Sequence, residues 1–297
     1  MKRLILMVAV VFSGIQTEAR AMSDKELVTH LHQVYNTWRG AMISKNAKVW
    51  QNYTSPQRVI NIRNRIWSER RPFPQAVFDA PVAPPDITKL KALRVRVKGA
   101  TAKAIYFGKV DFGVGGVPTD NVFVISYLRG TNTWQYHGGE FVKLDLIPEV
   151  KKQIQSGDYK YFDQADFHPN GIVPPMPKAI TGPAKYIAKA YVFCPGREVN
   201  LTVNGFSKHL FQNDKQAEVV IGGARDGQNT VNYTIKDIPG GDPKSPITIR
   251  IYLMSEVPGT QPTKIVQYQV ENGARPNASG VLSFNVTPAV AAKLLRR

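Results

Sequence analysis

Five histidines, one cysteine and a surplus of arginines are the side chains through which this 297-residue chain could do chemistry. His30, His32, His137, His168 and His209 include no i, i+4 pair, and His30 and His32 diverge on a helix, so the usual helical metal spacing is absent. Gly113-Val114-Gly115-Gly116 lacks the Gly-x-Gly-x-x-Gly spacing and opens no helical pattern, which argues against a phosphate loop. No Gly-x-Ser-x-Gly elbow occurs. Asp214, Asp226, Asp237 and Asp242 stand singly in turns, without the alternating oxygen ligands of a calcium loop. No metal and no cofactor is expected. Cys194 follows Tyr191-Val192-Phe193 and precedes Pro195, with no His, Lys or Arg beside it. It reads as a buried small hydrophobe rather than a reactive thiol, and alone it closes no internal disulfide.

The chemistry that the composition favours is electrostatic. Thirty-nine Lys and Arg against 22 Asp and Glu leave a formal charge of +17. Two sets concentrate it. Arg58, Arg63, Arg65, Arg70 and Arg71 fall on one helical stretch and its end, while Arg94, Arg96 and Lys98 alternate with Leu93, Val95 and Val97 along a strand. Each stretch has an apolar side to bury, so the basic sides are expected to face water. Joined in one patch they would bind an anionic polymer; apart, they are a solubilising surface. None of the signatures of nucleic-acid modules is present, so the expected partner is an anionic glycan or an envelope protein, not a specific nucleic acid.

The elements that must position these residues begin with an address. Lys2 and Arg3 precede the apolar run Leu4 to Phe12, and Ala19-Arg20-Ala21 offers small residues for cleavage. Residues 1–21 therefore read as a signal peptide, too short to span a membrane, and the mature chain is expected to be exported from Met22. No later segment is long and apolar enough for a transmembrane span. Helical spacing follows at Leu27, Leu31, Val34, Tyr35, Trp38 and Met42, then from Asn46 to Tyr53, then from Gln57 to about Arg70. Tyr35, Trp38, Trp50, Tyr53 and Trp67 fall at that spacing and read as core. Strand patterns run over Leu93–Lys98, Thr101–Phe112, Asn121–Leu128 and Thr133–Leu144. The order predicts an α+β domain over residues 22–167, with helices against one face of a meandering antiparallel sheet.

Residues 168–184 hold five prolines and two glycines, through which neither a helix nor a central strand can run, so they read as a stiff linker. Beyond it, seven strands between Lys185 and Val286 predict an all-β sandwich over residues 185–297, with a short helical or frayed tail from Pro288.

The first domain resembles the nuclear transport factor 2-like superfamily over residues 24–146. The resemblance rests on the long first helix, on Asn46-Ala47-Lys48-Val49-Trp50-Gln51-Asn52-Tyr53-Thr54, and on Val122 to Gly130 with Thr133-Trp134-Gln135-Tyr136-His137 as a closing hairpin. It implies a cone of sheet wrapped on helices with an inner pocket, used by some members as isomerases or dehydratases and by many without catalysis. The polar residues near that implied pocket are Tyr53, Asp111, Tyr127, His137 and Glu140. Asp111, beside Phe112, would be the base with Tyr53 or Tyr127 as donor. His137 would reach the pocket only if Trp134 faced out, and capping of the glycine-rich turn is the simpler role for Asp111. In the second domain, Val199 to Gly205 and Gly227 to Tyr233 resemble strand-turn phrases of immunoglobulin-like domains. The expected function is a noncatalytic binding protein of the envelope or extracellular space, with a small-molecule isomerase, dehydratase or hydrolase as the alternative.

Overall fold

The computed structural model describes residues 24–111 and 117–294. The expected signal peptide, Phe112, the turn 113–116 and residues 295–297 lie outside the described residues. Among those described, a few helices accompany three antiparallel sheets of four strands each. No described helix is long and apolar enough to cross a membrane.

Three helices open the chain: α1 (Asp24–Ile43), α2 (Ala47–Tyr53) and α3 (Pro56–Ser68). Asn46 caps α2 by accepting the Val49 N–H, and Ser55 caps α3 with Pro56 at the first helical position, where its missing N–H costs nothing. The first sheet follows as β1 (Lys91–Lys98), β2 (Thr101–Val110), β3 (Thr119–Arg129) and β4 (Trp134–Lys143), in the order β1-β2-β3-β4. Successive side chains point to opposite faces, and both faces are buried. Ala104, Tyr106, Phe123, Ile125, Trp134 and Tyr136 pack with Leu31, Tyr35, Trp38 and Trp50 of the helices. Ile105, Val122 and Val124 pack the other way, against Leu144, Ile154, Phe162 and Phe167. The sheet was expected to have helices on one face. It has them on both, because α4 (Pro148–Gln155) and the short 3-10 turns of residues 160–167 fold back across the outer face.

Residues 168–184 contain neither helix nor strand. Gly171, Pro174, Pro177 and Ile180 are half-buried and the pairs between them are exposed, a three-residue period that matches a polyproline helix. This strap lies along α3. The Gln57 side chain donates to the Pro174 carbonyl at 3.1 Å, and Asn64 donates to the Lys178 carbonyl at 2.9 Å while accepting the Ile180 N–H at 3.2 Å.

The second half comprises β5 (Ile187–Phe193), β6 (Arg197–Val203), β7 (Ser207–Gln212), β8 (Lys215–Val219), β9 (Gly227–Asp237), β10 (Ile247–Met254), β11 (Thr263–Val270) and β12 (Ser279–Val286). They form sheets ordered β11-β10-β5-β8 and β12-β9-β6-β7, whose facing side chains make one buried cluster including Val192, Val199, Phe211, Val231 and Ile249. There are eight strands where seven were expected. The missed one, β7, turns Ser207, His209 and Phe211 inward and Lys208, Leu210 and Gln212 outward, so its pattern is polar within and partly apolar without. The halves meet at the end of α3, where the Gly222 N–H donates to the Ser68 hydroxyl at 2.9 Å and Arg70 pairs with Glu256 at 2.6 Å.

Candidate functional site

The start of α3 is stitched to β4, and that junction places Arg58. The Ser55 N–H donates to the Tyr136 carbonyl at 2.9 Å. The Ser55 hydroxyl accepts the Arg58 N–H at 3.4 Å and lies 2.7 Å from His137 Nδ1. The hydroxyl accepts the amide with one lone pair and meets the imidazole either as donor, which leaves the ring proton on Nε2, or as acceptor of an Nδ1–H. His137 is the extra residue of a β-bulge: Ser126 faces Gly138 while Tyr127 faces Tyr136. The Arg58 guanidinium donates to the His137 carbonyl at 3.1 Å and stands 5.0 Å over the Tyr136 ring, whose own ring stacks on Trp38 at 3.8 Å. Burial, and then the neighbouring Arg58 charge, hold the His137 pKa below its ordinary value.

Arg58 also lines a groove of about 560 Å³ between the helices and the segment at residues 76–81, floored by Trp38, Met42, Trp50, Ile62 and Ile66. Arg65 and Arg71 stand at the same groove. Arg65 faces Glu69 at 3.5 Å, and Arg71 is held by Glu69 at 3.1 Å and Asp79 at 2.9 Å. Arg58 has no carboxylate partner among the described residues. Its Nε, and the Trp38 indole N–H, are buried without a hydrogen-bond partner. A buried donor left unpaired costs about 1–3 kcal/mol; both atoms are closed off from solvent, so the groove offers a ligand the rest of the Arg58 guanidinium, without a carboxylate partner, beside an apolar floor.

The remaining expected site residues do not converge. Tyr127 lies opposite Ala102 on β2, and Asp111 lies nine positions beyond Ala102 on the same chain. At about 3.3 Å per residue that is about 30 Å, so no Asp111–Tyr127 pair exists. Tyr53 lies at the Tyr127 end, beside the bridge between Thr54 and Tyr136. Trp134 faces inward, and the bulge turns His137 off the inner face to meet the Ser55 cap of α3. Glu140 pairs with Val124, an outer-face residue, and is exposed. Inside, Tyr127 is fully buried with its hydroxyl unpartnered, and burial drives its pKa well up; the Tyr106 hydroxyl beside it is pushed up to about 12. Both hydroxyls stay protonated, and neither has a hydrogen-bond partner; the His32 ring meets Tyr106 edge to face, with centroids 6.1 Å apart.

The expected polyanion patch is also corrected. β1 and β4 are opposite edges of the sheet, three strand spacings or about 14 Å apart, and α3 sits at the β4 edge. Arg94 and Arg96 do not face open water. Both pair with Asp163, at 2.8 and 2.7 Å, under the 3-10 turns, and Arg96 also donates to the Phe162 carbonyl. Lys98 lies against Gly171 of the strap. Arg63 stacks over Trp67 at 4.8 Å, and Arg70 is committed to Glu256 and the Ala184 carbonyl. Of the expected basic residues, the structure brings Arg58, Arg65 and Arg71 to one groove.

One constellation escaped sequence reasoning. Ser207 Oγ lies 2.7 Å from His209 Nε2, and His209 Nδ1 lies 2.7 Å from Glu218. The order of contacts is that of a hydrolytic triad. The serine is 1% exposed, and its oxygen already accepts the Ile221 N–H at 2.7 Å. A substrate carbonyl has no approach to it, so the triad is a structural clamp joining β7, β8 and the turn after β8. Ser207-x-His209 on an unrecognised strand gave no signal. The described residues contain no cluster of metal-ligating side chains. Cys194 is fully buried and its thiol is pushed up by that burial. No protein-family model, curated protein or solved structure matches the chain.

Proposed function

We propose that this is an exported, noncatalytic binding protein of the cell envelope or extracellular space, whose ligand is an amphipathic anion seated in the groove at Arg58. In this reading the first half is a nuclear transport factor 2-like cone and the second an immunoglobulin-like β-sandwich, and the groove is the mouth between the cone's helices. The pattern of residues 1–21 supports export. The observation that carries the binding reading is Arg58: a half-buried guanidinium without a carboxylate, beside an unpaired indole donor and an apolar floor. An acid group on a ligand would satisfy the charge, and an apolar body would cover Met42, Ile62 and Ile66. Arg94 and Arg96 share one carboxylate and lie at the sheet edge opposite Arg58, which favours a compact anion, or the anionic end of a glycan, over a long polymer.

Titration with anilinonaphthalene sulfonate, read by quenching of Trp38 and Trp50, tests the reading. Arg58→Gln weakens binding in this titration about tenfold relative to the wild-type chain, the value of one charge-assisted hydrogen bond. Equal affinity in the two proteins would overturn it.

A further inference from the structure

A second cavity, of about 420 Å³, lies on the other side of the sheet, between its outer face and the strap. Its lining is chemically one-sided. Lys103 of β2, His137 of β4 and His168 of the strap contribute nitrogen groups from three directions, and no carboxylate lines it among the described residues. Lys103 gives one of its three N–H bonds to the Asp166 carbonyl, which leaves two. The bulge on β4 turns His137 toward this face, and its Nδ1 is already occupied by the Ser55 hydroxyl, so the atom left for the cavity is Nε2, which donates when Nδ1 accepts the Ser55 proton or when an anion draws a second proton onto the ring. Ser126 sits on the floor, and Leu128, Ile172, Pro174 and Pro175 supply an apolar wall.

We propose that this cavity binds a small ligand carrying a phosphate or sulfate group joined to an apolar body. Three donors arriving from a strand, a bulge and the strap suit the spread acceptors of a tetrahedral oxyanion better than a flat carboxylate. The apolar wall fixes the rest of the ligand, as in small-molecule sites of this size, roughly 300–1,000 Å³. The strap is held in place without ligand, because Thr101 Oγ1 accepts the Gly171 N–H at 2.9 Å and donates to the Lys98 carbonyl at 3.1 Å. The site is independent of the Arg58 groove, which opens on the helix side of the sheet.

The test is calorimetric titration of the full chain with phenyl phosphate, phenyl sulfate and inorganic phosphate. Phenyl phosphate saturates one site and binds more tightly than inorganic phosphate, and comparison with phenyl sulfate assigns the preferred oxyanion. Lys103→Met and His137→Phe each weaken it about tenfold or more. Ile172→Glu sets a carboxylate at the rim on a side chain that is 70% exposed, so it weakens binding without risk to the fold. Arg58→Gln, which alters the other groove, leaves phenyl phosphate binding unchanged. The proposal is overturned if neither phenyl ester binds at millimolar concentration, if Lys103→Met and Ile172→Glu bind as the wild type does, or if Arg58→Gln weakens the ester as much as Lys103→Met does.

Discussion

Replacing Arg197 by methionine is expected to unfold the second half far more readily than removing its only carboxylate partner. Arg197 opens β6 and is fully buried. Its Nε donates to Asp237 at 3.2 Å, one terminal nitrogen to the Ser245 carbonyl at 2.5 Å, and the other to the Pro243 carbonyl. Gly196 and Gly241 permit this, because a Cβ on Gly241 would collide with the Gly196 carbonyl and push the 241–245 loop off the arginine. Methionine fills much of the volume and offers no donor. Two carbonyls are then orphaned at roughly 1–3 kcal/mol each, about 4 kcal/mol together. Asp237 is 60% exposed, so its ion pair is worth about 1 kcal/mol or less.

The ratio is the test. With a urea slope of about 2 kcal/mol/M, Arg197→Met lowers the midpoint by about 2 M and Asp237→Asn by about 0.5 M or less. Far-ultraviolet circular dichroism follows β-structure in both halves. Trp38, Trp50, Trp67 and Trp134 are all in the first half, so tryptophan fluorescence reports that half alone. Equal midpoint shifts in the two variants would refute the claim that carbonyl satisfaction, rather than the ion pair, fixes this arginine.

Three further outcomes follow from the same geometry. Asp163→Asn releases Arg94 and Arg96, so retention on heparin and its salt slope should rise above wild type, whereas an unchanged slope would show that the pair does not mask them. Because the folded-state pKa of His137 is depressed, the unfolded chain binds the proton more readily; stability is full above the unfolded value near 6.5 and falls as pH drops through the window below it. His137→Gln should flatten that part of the stability–pH curve, and an identical slope would place the titration elsewhere. Ser207 should resist a fluorophosphonate that labels active serine hydrolases, while Ser207→Ala costs about 1–3 kcal/mol by orphaning the Ile221 N–H; labelling would reopen the hydrolase reading.

Local periodicity carried the helices and most strands to the page. The start expected at Asn46 holds because a cap is a local act, an oxygen three residues from the amide it satisfies, whereas Ser55, the cap of α3, lies before the start expected at Gln57. The alternation of Leu93, Val95 and Val97 with basic residues likewise marked a strand. It misstated what lay opposite, because the covering turns come from residues 160–167, and their Asp163 is 69 positions from Arg94. Strand order and return packing are non-local, and no spacing encodes them. β7 failed for a different reason: its buried face is Ser207, His209 and Phe211, so the polar clamp that satisfies it also erases its hydrophobic signal.

Arg58 shows how charge must be read after folding rather than before. By composition it is one of 39 cationic side chains, in a helix with several others. Position along α3 then separates them: Arg65 reaches Glu69 one turn away, Arg70 reaches Glu256 across the seam, and Arg71 reaches back to Asp79. Arg58 is one turn from the helix start, where Ser55 has already bound the backbone to β4 and the neighbours are Tyr136 and the His137 carbonyl, both acceptors without charge. The same capping that starts the helix therefore holds a guanidinium over an aromatic ring, while Glu69 and Asp79 of the same groove are taken by Arg65 and Arg71. A solubilising arginine would extend into water. This one is half-buried, with an Nε that has found no partner, so the missing counter-charge is expected from outside the chain.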